Sequence, residues 1–127
     1  MRLSSLIVPI VLVTALPLSA AGLETIARLE VDYLIAQVAA SDKRFVRNGK
    51  EYSGHEAAAH MRQKLERAGK RVKSADDFVN GVATKSYLSG DPYLMKSPDG
   101  TTNPTGAWLT DLLNKYRQQA KTPPVGS

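Results

Sequence analysis

The chain has 127 residues, no cysteine and a formal net charge of +5. The lack of cysteine excludes disulfides, a lipid-anchored cysteine, a thiol nucleophile and any cysteine-bearing zinc site. A mildly basic surface of this kind favours anionic partners such as envelope polymers or lipid head groups, and its interleaved acids argue against nucleic acid.

The first residues read as an address. Arg2 precedes an uncharged run from Leu6 to Leu18, which ends in the small residues Ser19-Ala20-Ala21. This is the pattern of a cleavable secretory signal peptide over residues 1–21, with cleavage expected after Ala20 or Ala21. The run is too short for a permanent membrane span, so no integral segment is expected after cleavage. The rest of the chain has the length of one small domain, residues 22–120.

From Leu23 to Val38 the apolar residues Ala27, Val31, Leu34 and Val38 form one helical stripe and Ile26, Leu29 and Tyr33 a second. This predicts a helix buried on two faces. Glu30 lies between the stripes, where a carboxylate needs a cationic partner or access to the rim. Next, Asn48-Gly49 between Phe45-Val46-Arg47 and Lys50-Glu51-Tyr52 predicts a tight hairpin, because both turn positions tolerate positive φ.

Ser53 and Glu56 form a capping box for a helix ending at Ala68 before Gly69, and Ser74-Ala75-Asp76-Asp77 opens a shorter helix that fades near Lys85. Loss of the Ser53 hydroxyl is expected to cost about 1 kcal/mol. Residues 86–96 read as extended, able to pair with the hairpin, and Pro98-Asp99-Gly100 as a turn. A last amphipathic helix begins with Pro104 in its first turn and carries Trp108, Leu109, Leu112, Leu113 and Tyr116. The tail 121–127, with two prolines, is expected to be disordered. The sum is an α+β class: about four helices with a small β-hairpin or extended element.

Five blocks in order resemble the YfeK-like family of small exported bacterial proteins. They are Phe45-Val46-Arg47-Asn48-Gly49, Ala57 to Lys64, Ser74 to Val79, Lys85 to Tyr93, and Trp108-Leu109. The resemblance spans Leu23 to about Tyr116. It implies a periplasmic protein of Gram-negative bacteria and carries no established activity. Many members of that family have a cysteine just before the first block; here Asp42-Lys43-Arg44 stands in its place, so a thiol-based role does not transfer.

Catalytic patterns are sparse. His55 and His60 are about 140° apart on a helix and cannot ligate one metal from the same face. Glu56, His60 and Lys64 share a face and read first as an ion-paired rim in which Glu56 raises the His60 pKa. Ser86 and Ser89 lack the Gly-x-Ser-x-Gly setting of a nucleophile, and Glu30, Glu51 and Glu56 have no reason to converge. No phosphate-cradling glycine loop is present, and no cofactor or metal is expected.

What remains is recognition. Arg47 and Asn48 at the hairpin, His60, Arg62 and Lys64 on the following helix, and Tyr93, with Tyr52 and Tyr87 beside it, are candidate contacts for an anionic envelope polymer or a periplasmic protein. The structural alternative is that Arg47 neutralises Glu30 or Asp42, that Asn48 serves the turn, and that the tyrosines rim the core. The reading is a non-catalytic binding module. A cell-wall or peptide hydrolase using His60 and a small inhibitor using the hairpin as a wedge stand behind it.

Overall fold

The computed structural model describes residues 20–86 and 89–121. Most of the predicted leader, Tyr87, and the tail from residue 122 lie outside them. The elements run α1 (Ala20–Ala40), β1 (Arg44–Arg47), β2 (Lys50–Tyr52), α2 (Gly54–Ala68), a 3₁₀ turn (Gly69–Arg71), α3 (Ala75–Gly81), β3 (Leu94–Lys96), β4 (Thr102–Pro104) and α4 (Thr105–Lys121). The architecture is the α+β arrangement that the sequence predicts.

The strands form one antiparallel sheet in the order β2-β1-β3-β4. Phe45 opposes both Tyr52 and Met95, so these side chains share a face. That face meets the helices: Phe45 and Met95 are buried, and Phe45 lies 5.9 Å from the Trp108 ring of α4. The other face carries Arg44, Glu51 and Lys96, where Glu51 sits 3.2 Å from Lys96 and 3.8 Å from Arg44. These pairs are half-exposed and add little stability.

Local signals set most boundaries. Asn48 and Gly49 adopt φ of 51° and 76°, the geometry of a tight two-residue hairpin turn. The Ser53 hydroxyl accepts from the Glu56 N–H while Glu56 Oε1 accepts from the Ser53 N–H, both at 3.2 Å. At α3 the Ser74 hydroxyl accepts from Asp77, but the Asp77 carboxylate accepts from the Lys73 N–H, one residue earlier than a capping box requires. α3 ends at Gly81 rather than near Lys85. The N–H groups of Val82 and Ala83 both turn back to the Phe78 carbonyl, and the Thr84 hydroxyl donates to the Val79 carbonyl, so the last turn closes early.

Two expectations need correction. Pro104 does not start the last helix; it ends β4, a strand that the sequence pattern does not predict, and α4 begins at Thr105. Residues Thr101 to Asn103 are polar and show no alternation, so the strand is announced only by its turn, closed by Ser97 N–H to Thr101 O at 2.9 Å. β4 is an edge strand, where a proline without an N–H is tolerated. The second stripe of α1 is also not buried: Ile26 is 45% and Leu29 56% exposed. Only Tyr33 is covered there, stacked on Tyr116 at 4.4 Å. The helix buries a single face of Val31, Leu34, Ile35 and Val38, against which Phe78, Leu109 and Leu113 pack.

Glu30 is 7% exposed and finds its cation in Arg117, not Arg47. Arg117 Nε and Nη2 donate to the two Glu30 oxygens at 2.7 and 3.0 Å, and Nη2 donates to Asp76 at 2.9 Å. The hydrogen bonds that Arg117 donates to Glu30 and then to Asp76 hold the guanidinium pKa above its ordinary value. One side chain thus ties α1, α3 and α4. At the α1–α2 junction, a Cβ on Gly54 would lie 2.3 Å from the Val38 carbonyl oxygen, so only glycine permits this approach of the α2 start to the α1 end.

Arg117→Ala leaves a buried carboxylate unpaired and should lower unfolding free energy by about 3 kcal/mol in urea denaturation, with Arg117→Lys recovering only part because a lysine cannot bridge both carboxylates. Gly54→Ala should cost about 2 kcal/mol in the same assay.

Candidate functional site

On α2, Ala57, His60, Met61 and Lys64 recur at helical spacing and face the covered side of the hairpin. Between them and Phe45, Arg47 and Tyr52 lies a pocket of about 30 Å³, closed by Tyr93 and by Thr105 at the start of α4. Its walls are almost wholly carbon. The polar groups of interest stand around this apolar hollow.

Lys64 is the most committed of them. Its ammonium donates to the carbonyls of Val82 at 2.7 Å and Lys85 at 3.2 Å and to the Tyr93 hydroxyl oxygen at 2.9 Å. An ammonium has three donors and no acceptor, so these bonds occupy it. Lys64 therefore fastens α2 to the segment after α3. The same count fixes Tyr93: its oxygen accepts from Lys64, which leaves the phenolic proton for another acceptor. Burial of Tyr93 raises its pKa, with the charge of Arg47 acting in the opposite direction.

Arg47 ends β1 on the Phe45 face and is half-buried. Among the described residues its side chain makes no ion pair and donates no hydrogen bond. Its charge is felt by both His60 and Tyr93. His60 meets the Tyr52 ring edge-on at 4.7 Å. Its pKa is lowered, first by burial and then by Arg47, whereas the opposing pull of Glu56 is the smallest influence. Glu56 does pull it upward as expected, but burial and the Arg47 charge outweigh that pull, so the net shift is the reverse of the expectation.

Asn48 lies beside the pocket, at the hairpin tip. Its Nδ2 donates to the Ser86 hydroxyl at 3.5 Å and its Oδ1 accepts from Ser89 at 2.7 Å, which pins the loop between Lys85 and Pro92. Arg62 stands apart: it reaches Asp32 of α1 at 3.9 Å, and both side chains are more than half exposed. The structure therefore gathers Arg47, His60, Lys64 and Tyr93 at one pocket, sets Asn48 next to it and leaves Arg62 outside. The serines considered as nucleophiles bond to Asn48, and among the described residues His60 has no hydrogen bond to a serine or carboxylate. No cluster of three metal-ligating side chains occurs among the described residues.

One polar pocket residue has no counterpart among the sequence-predicted contacts. Thr105 is fully buried and its hydroxyl has no partner among the described residues. A threonine at a helix start reads as an ordinary cap residue, and nothing in the sequence marks this one as orphaned.

The pattern that defines the family of unknown function DUF5329 matches residues 25–117. The chain belongs to this family. The DUF5329 match runs from most of α1 to most of α4 and so takes in the whole pocket. Uncharacterized protein YfeK of Salmonella typhimurium is 40% identical over 52 residues, which cover 41% of this chain and 43% of that protein. The aligned part is thus under half of either chain, and the likeness agrees with the YfeK-like resemblance read from the five blocks. No solved structure matches. Among the described residues, no helix is long and apolar enough to cross a membrane.

Because the folded His60 binds its proton less readily than an unfolded histidine, the unfolded state gains protons first on acidification, and stability should fall as pH drops through about 6.5. NMR titration should place the His60 midpoint below that value, and His60→Gln should flatten the stability profile between about pH 7 and 5.

Proposed function

We propose that this DUF5329 protein is exported to the periplasm and acts there by binding rather than by chemistry. Its partner is an anionic envelope component or a protein that presents a negative group. Arg47 carries this reading: it is a cation at the edge of an apolar pocket with no acid to neutralise among the described residues. A half-buried guanidinium left without an internal partner is suited to a charged ligand, since its fork matches carboxylate or phosphate oxygens.

The surrounding parts support the same reading. Lys64 and Asn48 spend their polar groups on holding the pocket in shape, and Tyr93 keeps a proton to donate. The overall basic charge assists the approach of an anion. The Tyr52 and Phe45 rings and Met61 supply an apolar seat.

Affinity capture from envelope fractions checks this. The wild-type protein should retain an anionic partner, and retention should weaken with salt. Arg47→Ala should reduce the affinity roughly tenfold or more while the melting temperature stays close to wild type, given what a charge-assisted hydrogen bond contributes. Equal retention by both forms would reject the assignment.

A further inference from the structure

We propose that the pocket takes a carboxylate that bears a short aliphatic group, as at the C-terminus of a peptide ending in alanine. This rests on the binding reading above and names its ligand. Four observations lead to it, one for each property of the ligand.

The first is the direction of the free hydrogen bonds. Arg47 is a donor only. Tyr93 has its oxygen engaged by Lys64 and its proton to spare. The Thr105 hydroxyl is fully buried at the pocket with neither donor nor acceptor satisfied among the described residues. Two donors to spare beside a buried hydroxyl without a partner call for a ligand rich in acceptors and negative in charge. The second is size. A volume of about 30 Å³ has room for a methyl-sized group to enter, with the rest of a ligand left at the open mouth.

The third is the chemistry of the wall. Phe45, Ala57 and Met61 present carbon to the hollow, where a tetrahedral inorganic anion would lose hydration without replacement. A carboxylate separates the two needs: the aliphatic end enters the hollow and the two coplanar oxygens stay at the rim, in the geometry that an arginine fork accepts. The fourth is Thr105 itself. For stability alone, a valine would fit the same space without an orphaned hydroxyl, and so the hydroxyl is explained by something it binds.

The test is an NMR titration of the full chain, labelled with ¹⁵N, using N-acetylalanine, its C-terminal amide, N-acetylglycine, propionate and inorganic phosphate. N-acetylalanine should shift the amide signals of Arg47, His60 and Thr105, and the amide analogue and N-acetylglycine should bind roughly tenfold or more weakly. Propionate distinguishes the source: binding equal to N-acetylalanine assigns the pocket to free short acids, and weaker binding assigns it to a chain end. Thr105→Val should raise the melting temperature yet weaken N-acetylalanine, a combination that a purely structural threonine does not give. Arg47→Gln should abolish the acid-over-amide preference while retaining the fold.

Equal binding of acid and amide, equal binding of phosphate, unchanged binding in Thr105→Val, or no shift at these three residues would each overturn the proposal, the last leaving the pocket to water alone. If none of these acids binds but Arg47→Ala still loses the captured envelope partner, the ligand class fails and the binding module stands. If capture is also indifferent to Arg47, both fail together.

Discussion

A single ammonium group organises this molecule's candidate site. Lys64 rises from α2 and donates to two backbone carbonyls after α3 and to the Tyr93 hydroxyl. Those carbonyls belong to a helix end and the turn beyond it, where acceptors lack intrahelical donors and a cation is favoured by the helix dipole. The same bonds set Tyr93 across from the hairpin, orient its proton and give the pocket its far wall. Everything that the pocket offers to a ligand depends on a charge that is itself unavailable to one.

The fold repeats this device among its helices. Arg117 satisfies Glu30 and Asp76 and joins three helices, just as Lys64 joins α2 to the β3 approach. Glu30 and the Lys64 ammonium are each matched by several hydrogen bonds rather than by one, which is the condition under which desolvated ions are tolerated. Arg47 departs from that rule. Among the described residues its half-buried side chain makes no ion pair, and it stands where the apolar sheet face opens toward α2.

How much of the molecule is legible in the sequence depends on the reach of the forces involved. The Asn48-Gly49 turn and the Ser53, Gly69 and Ser74 signals are decided by neighbours within four residues, and they appear where expected. The need of Glu30 for a cation is legible from helix geometry, but the identity of Arg117 is not, since it lies on another helix. Lys64 looks like a surface contact because its acceptors are backbone carbonyls, which carry no side-chain signature. His60 misleads for the same reason: proximity to Glu56 is visible along the chain, whereas burial and the approach of Arg47 arise only from the β1–α2 packing. Ile26 and Leu29 show the limit of periodicity, which identifies an apolar face but not whether anything covers it.

The strand order has a bearing on how the pocket comes into being. β1 meets β2 across a two-residue turn, but its other neighbour, β3, lies about fifty residues further along the chain, and closing that loop carries an entropic penalty that local pairing avoids. The hairpin and α2 are nearly contiguous and can nucleate together, whereas Tyr93 and Thr105 arrive only when the β1–β3 ladder zips. In the folded chain Phe45 and Met61 are both buried, so the hollow they line depends on elements from both sides of that loop. The pocket is therefore complete only when the central ladder is, because its lining is drawn from both sides of that long loop.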